Sequence, residues 1–259
     1  MIDLPKPLAN DLRGKRMIFT VATGRCGTAY LAHLLTFLRQ VHSSHEPVPE
    51  YHTVFRKVQK DPSEARRFLV EEKLPTIART DASVYAEASH LFCKGFAEPF
   101  LDLGLTADLI LLSRSREAVA SSLYRSGTIP GRTERGLQFY LSPEDEVLVP
   151  LPDWEKFHDY QLCLWYILEI EARANRYEKV FSEKGCRVVR VTLEEIRTFS
   201  GFRRLYRELG LKGPSPRKWL SYLRYGKARV NAISPEKKEN ALPENWKDLR
   251  DELLKVVGV

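Results

Sequence analysis

Residues 17–31, MIFTVATGRCGTAYL, read as a buried strand, a tight turn and the start of a helix. The turn holds Gly24, Arg25, Cys26, Gly27 and Thr28. Such a turn aims several backbone N–H groups at one point, and the helix behind it adds the positive end of its dipole. That geometry holds an anion, and a phosphate suits it best. The two glycines let the backbone approach a ligand closely, while Arg25 and Thr28 can add a charge and a hydroxyl. No G-x-x-x-x-G-K-[ST] can be read here, so the spacing is not that of the nucleotide-kinase loop.

Strands and helices alternate along the rest of the chain. A helix over 28–39 is followed by a short strand at 40–44, which His45-Glu46-Pro47 stops. Asp61-Pro62-Ser63-Glu64 opens a helix that runs to residue 72 and breaks at Pro75. A strand at 83–88 precedes a helical segment at 91–103. ADLILLS at 107–113 is a continuous apolar run, as in a strand buried on both faces. A helix at 116–125 leads into residues 128–152, a long loop rich in Pro, Gly and charge. We expect this segment to be a substrate-side loop or lid, because long loops in compact domains tend to be functional. Asp153 caps a helix reaching residue 184, with Leu162, Trp165, Tyr166, Leu168 and Ile170 on its core side. A strand at 187–192 and helices near 202–209 and 246–256 complete the pattern. The alternation predicts one α/β domain over 1–259, a central parallel sheet flanked by helices, with its site at the carboxyl ends of the strands.

The chain has 259 residues, 43% of them hydrophobic and 29% charged, enough apolar material for a real core. Its net charge of +7 points to an anionic partner without choosing among nucleotide, nucleic acid and membrane. Cys26, Cys93, Cys163 and Cys186 are widely separated and form no C-x-x-C pair, so zinc and redox motifs are unsupported. No signal-type apolar core opens the sequence, and the apolar patch at 160–170 is too short to span a bilayer. These features predict a soluble, cytoplasmic protein without a membrane span.

A second candidate anion site follows the strand at 107–113. In RSREAVASS, Arg114 stands at the strand's carboxyl end and Ser122 on the adjoining helix, placed to converge on one anion. The alternative is an Arg in a surface ion pair and a Ser facing solvent. Together, GRCGTAYLAHLL and ILLSRSREAVASSLYR resemble the two cofactor motifs of the sulfotransferase family, which uses 3′-phosphoadenosine 5′-phosphosulfate (PAPS). The resemblance implies a three-layer α/β/α fold like that of P-loop NTPases. It also implies transfer of a sulfonate from PAPS to a hydroxyl or amine, with 3′-phosphoadenosine 5′-phosphate (PAP) as product and no metal. By position, Gly24, Arg25, Cys26, Gly27, Thr28 and Ala29 would grip the 5′-phosphosulfate, and Arg114 and Ser122 the 3′-phosphate. Cys26 stands where the family has Ser, Ala29 where it has a second Thr, and Ser115-Arg116 where it has an Asp/Asn-Pro pair.

The family also closes its cofactor site with a late basic segment. Gly226-Lys227-Ala228-Arg229, with Trp246 further on, resembles it and would bring Lys227 and Arg229 to the 3′-phosphate. The stretch 217–229, RKWLSYLRYGKAR, interleaves basic residues with Trp219, Tyr222 and Tyr225, and its alternatives are a solvated face or single-stranded nucleic-acid binding. Arg25 suits the leaving-group oxygen. Glu46, at the end of the second strand, is the chosen general base, with His45 and Glu50 as reserves. Its alternative is a carboxylate paired to Arg25 or to a helix end. Glu87 and His90, in VYAEASHLF, are acceptor-side or structural. The expected acceptor is a small molecule or glycan, and no nucleic-acid partner is expected. A phosphate-loop kinase and a non-catalytic nucleic-acid binder remain as competing functions.

Overall fold

Five strands carry the apolar runs: β1 (Arg16–Val21), β2 (Val41–Ser44), β3 (Val84–Glu87), β4 (Asp108–Ser113) and β5 (Val188–Thr192). In the computed structural model, which describes residues 4–226 and 241–258, they form one parallel sheet in the order β2-β3-β1-β4-β5. Alternate side chains of the central strands point to opposite faces, and both faces are buried. Met17, Phe19, Val21, Leu109 and Leu111 enter one core. Ile18, Ala22, Ile110 and Leu112 enter the other. Strands that are apolar on both sides need helices on both sides, and that requirement produces the α/β sandwich.

The first core is covered by α1 (Lys6–Leu12), α3 (His52–Val58), α4 (Ser63–Phe68), α5 (Leu74–Ala78), α6 (Ala97–Asp102), α7 (Arg116–Arg125), α9 (Asp159–Glu183) and α13 (Trp246–Val257). The second is covered by α2 (Thr28–Leu35), α10 (Leu193–Ile196), α11 (Phe199–Glu208) and α12 (Pro216–Tyr225). Because every strand runs the same way, β1, β2, β3 and β4 deliver their following turns to one edge of the sheet. That edge holds both candidate anion motifs.

Four local features differ from the sequence expectation. Pro75 does not break the helical path: α4 passes through a π turn at Leu69–Lys73 into α5, whose first turn contains Pro75. The π turn, closed by the Leu74 amide on the Leu69 carbonyl, directly precedes this residue without an N–H. The long helix α9 starts at His158 rather than Asp153. The His158 ring accepts from the Tyr160 amide at 3.1 Å, and Gln161 Oε1 accepts the His158 amide at 2.8 Å. Asp153 instead has φ 52 and precedes a single 3₁₀ turn. Residues 128–152 contain a short helix, α8 (Glu134–Phe139), capped by Thr133. The helix after β1 closes at Leu35, short of residue 39.

The amino-terminal ends of the strands, opposite the site, are fastened by Asp108. Its carboxylate accepts Arg16 Nε at 2.7 Å and the Arg187 amide at 2.7 Å, tying β1, β4 and β5. Arg16 Nη2 also bonds the Leu209 carbonyl. Asp108→Asn should therefore lower stability by about 1.5–3 kcal/mol, the range for hydrogen bonds to a charged group. Urea unfolding should show the midpoint falling at unchanged slope.

Candidate active site

The turn after β1 is built from backbone conformations that bring it close to other groups. Arg25 has φ 65 and Gly27 φ 102, so the chain twice enters the left-handed region before α2 begins. A non-glycine residue held there is strained, and such strain collects at functional sites. A Cβ on Gly24 would lie 2.5 Å from the Tyr140 ring, and one on Gly27 would lie 2.7 Å from Leu193. The Gly24 amide donates to Tyr166 Oη at 3.1 Å. Gly27, at the helix N-cap, offers no side chain to the first turn. Among the described residues no acceptor meets the amides of Thr28, Ala29 and Tyr30. Uncapped amides at the start of a helix are ready to take an anion.

Side chains of the turn divide by direction. Cys26 Sγ faces inward and donates to the Leu112 carbonyl at 3.3 Å, and burial pushes the thiol pKa up to about 12. Cys26 therefore offers the site only its backbone. Ala29 adds no polar side-chain atom. Arg25 turns to the second motif: its Nε donates to Ser122 Oγ at 3.2 Å, and Arg114 Nη1 donates to the Arg25 carbonyl at 3.2 Å. Ser115 caps α7 by accepting the Ala118 amide at 3.2 Å, which explains a Ser at that position.

The structure thus brings Arg114 and Ser122 each against Arg25. Arg135 of α8, which sequence reading missed, adds a third guanidinium near Arg25. Burial lowers the Arg25 pKa, and the charges of Arg135 and Arg114 push it the same way, against Tyr140. Among the described residues no carboxylate pairs with any of these three arginines. Arg116, two residues beyond Arg114, is by contrast neutralised by Glu171 at 2.7 Å. Arg114 is therefore not in the surface ion pair offered as its alternative.

A polar chain runs beside the turn. Thr28 Oγ1 lies 3.0 Å from His45 Nε2. Glu46, held at φ 44, has Oε1 3.4 Å from His90 Nε2. His90 Nδ1 in turn lies 2.7 Å from Lys94 Nζ. Burial lowers the His45 pKa, opposed by Glu46 and Glu50. Burial also lowers that of Lys94 to about 7. Glu46 is thus paired with neither Arg25 nor a helix end. Lys94 escaped the sequence reading, although its spacing four residues beyond His90 was a visible signal. Glu50 pairs with His52 Nδ1 at 2.7 Å.

Glu87 takes the structural of its two readings. It is 1% exposed, 2.8 Å from Lys73 Nζ, and accepts from Tyr85 Oη at 2.6 Å. Segment 128–152 is tied down: Glu169 Oε2 accepts the Leu148 and Val149 amides, both at 2.8 Å, and Asp145 pairs with Arg56 at 2.9 Å. On α12, Trp219 and Tyr222 stack at 5.3 Å and Tyr222 stacks on Phe202 at 5.4 Å, so Tyr222 packs inside, Trp219 is half-buried beside it and Tyr225 is exposed. Lys227 and Arg229 lie outside the described residues. Gly226, just before them, accepts Tyr30 Oη at 2.8 Å, beside the first turn of α2. Trp246 packs on Tyr160 at 6.2 Å, in the core on the other side of the sheet. Among the described residues no group of three or more His, Cys, Asp or Glu could hold a metal ion, and no helix is long and apolar enough to cross a membrane.

One solved structure to which the chain is similar is the sulfotransferase domain from the curacin biosynthetic pathway. The identity is 13%, the TM-score 0.48, and the match covers 94% of this chain and 98% of that one. At that distance the likeness carries nothing about individual residues. No protein-family model matches the chain. No curated protein matches it either.

Glu87→Gln should leave Lys73 buried without its counter-ion and cost about 3–5 kcal/mol. Replacing both, as Lys73→Met with Glu87→Leu, should recover most of that loss in urea unfolding.

Proposed function

We propose that the chain is a sulfotransferase that moves a sulfonate from PAPS to a hydroxyl or amine acceptor. The observation that carries this reading is the carboxylate-free meeting of Arg25, Arg114 and Ser122 beside the uncapped amides of α2. Unneutralised guanidiniums and free amides at one sheet edge fit an anionic donor with more than one phosphate. A kinase-type loop would bring a lysine to that place, and the turn has none.

When bound, the donor supplies an activated sulfonate on a phosphate leaving group. Arg25 and the amides of residues 27–30 would face the 5′ end, where negative charge grows on the departing oxygen. Arg114 and Ser122 would take the 3′-phosphate, with Lys227 and Arg229 assigned to the same group. Glu46 would accept the proton of the acceptor hydroxyl as its oxygen bonds to sulfur and the bond from sulfur to the phosphate oxygen breaks. His45, fixed by Thr28, and His90 would line the acceptor side. Phe139 and Tyr140 extend that side from segment 128–152, and Arg135 adds positive charge. Positioning and electrostatics do most of the work in such a transfer, as in phosphoryl transfer.

Two variants test the reading. Arg114→Ala should weaken PAP by about 10- to 100-fold in calorimetry, from the loss of a charged hydrogen bond, and leave adenosine 5′-phosphate nearly unchanged. A uniform loss for both nucleotides would refute the 3′-phosphate assignment. Glu46→Gln should keep PAP affinity while transfer of labelled sulfonate falls by roughly 10²–10⁴-fold. Full turnover in that variant would pass the base role to His45 or another group.

A further inference from the structure

Lys94 is fully buried, yet no carboxylate pairs with it among the described residues. The other fully buried lysine, Lys73, has Glu87 for that purpose. A buried cation without a counter-ion is costly, so packing alone gives no reason for a lysine here. What surrounds it is the proposed site. Its Nζ lies 2.7 Å from His90 Nδ1, donates to the Phe139 carbonyl at 2.8 Å, and sits 5.1 Å and 4.8 Å from the ring centroids of Tyr140 and Tyr166. Those two rings support the phosphate-binding turn at Gly24. The charged and titratable groups facing Lys94 and His90 are Glu46, His45, Arg25, Arg56, Cys93, Arg173, Tyr140 and Tyr166.

Donor and acceptor capacity determines how the three groups connect. A neutral imidazole carries one N–H. A lysine ammonium can only donate, so Nδ1, 2.7 Å from Lys94 Nζ, is the acceptor and the ring hydrogen sits on Nε2, 3.4 Å from Glu46 Oε1. The Phe139 carbonyl uses a second Lys94 N–H, which fixes the amine from the other side. Burial and the adjacent Lys94 both keep His90 neutral, in agreement with this arrangement. His90 and Glu46 make no hydrogen bond in this structure: Glu46 Oε1 is buried without a hydrogen-bond partner, with His90 Nε2 3.4 Å away, and catalytic contacts often tighten only when substrate binds.

We propose that Lys94 is a positioning residue: through Nδ1 it holds His90 as the Nε2–H tautomer, and His90 orients the Glu46 carboxylate toward the acceptor. The chain Lys94–His90–Glu46 rests on the reading of Glu46 as base. It also ties the base to the phosphate-binding turn, since the rings that enclose Lys94 are the ones beneath Gly24. The partner of a catalytic carboxylate is thereby a lysine acting through an imidazole.

The test has one readout independent of turnover. Long-range ¹H–¹⁵N spectra of the native chain labelled in histidine, with His90 assigned by its loss in His90→Gln, report which ring nitrogen carries the hydrogen. The proposal expects a protonated Nε2 and an unprotonated, hydrogen-bonded Nδ1. A protonated Nδ1 overturns it. Lys94→Met should shift the Nδ1 signal, lower sulfonate transfer by about 100-fold, the scale of a misplaced reacting group, and keep PAP affinity within twofold. Full turnover in Lys94→Met, or a loss of PAP affinity as large as the loss of turnover, overturns the positioning role. A Lys94→Met chain that does not fold leaves the native spectrum to decide. A native chain that binds no PAP strikes the proposed transfer instead, while the tautomer is still scored by the spectrum.

Discussion

The site depends on a contact between the ends of two adjacent strands. β1 and β4 lie side by side and parallel, so the residues just beyond them emerge together. Arg114, after β4, grips the carbonyl of Arg25, after β1, while Arg25 reaches across to Ser122 on α7. Two motifs far apart in sequence become one cationic surface. No acidic residue among those described neutralises it, and like charges held that close repel until an anion arrives. The fold accepts that repulsion at one edge and fastens the opposite edge with Asp108.

Around that contact the two sides of the site share supports. Tyr166 of α9 accepts the Gly24 amide, and its ring lies beside Lys94. Tyr140 packs under Gly24 and faces the same lysine. The turn that would hold the donor and the histidine beside the proposed base therefore rest on the same aromatic pair. Segment 128–152 takes part through Tyr140 and Phe139, and α9 anchors it through Glu169. The proposed donor side and the proposed acceptor side are parts of one packed unit.

Much of the scaffold was legible because its signals are local. The run before Gly24, the ADLILLS strand and the helix at 116–125 follow from apolar period and capping, and each stands where those signals put it. Arg114 and Ser122 were singled out by their resemblance to a family motif, and the structure joins each of them to Arg25. Other features depend on partners distant in sequence. Glu87 was readable as acceptor-side or structural, but its partner Lys73 lies on another helical segment, and only the fold joins them. Lys94 reads as surface charge in any composition count, and only burial separates it from an ordinary lysine. The direction of Cys26 follows from the packing of β4, which no motif encodes. His158 and Pro75 mislead local rules, since the first is an unusual cap and the second sits where a helix restarts.

The central claim is that the cationic edge reads a nucleotide carrying phosphate at both its 3′ and 5′ ends. Isothermal titration of the native chain without Mg²⁺, using PAP and adenosine 5′-phosphate in parallel, tests it most directly. The account predicts tight binding of PAP and an affinity for adenosine 5′-phosphate lower by at least about tenfold, the equivalent of one charged hydrogen bond. Equal affinity for the two nucleotides would contradict it.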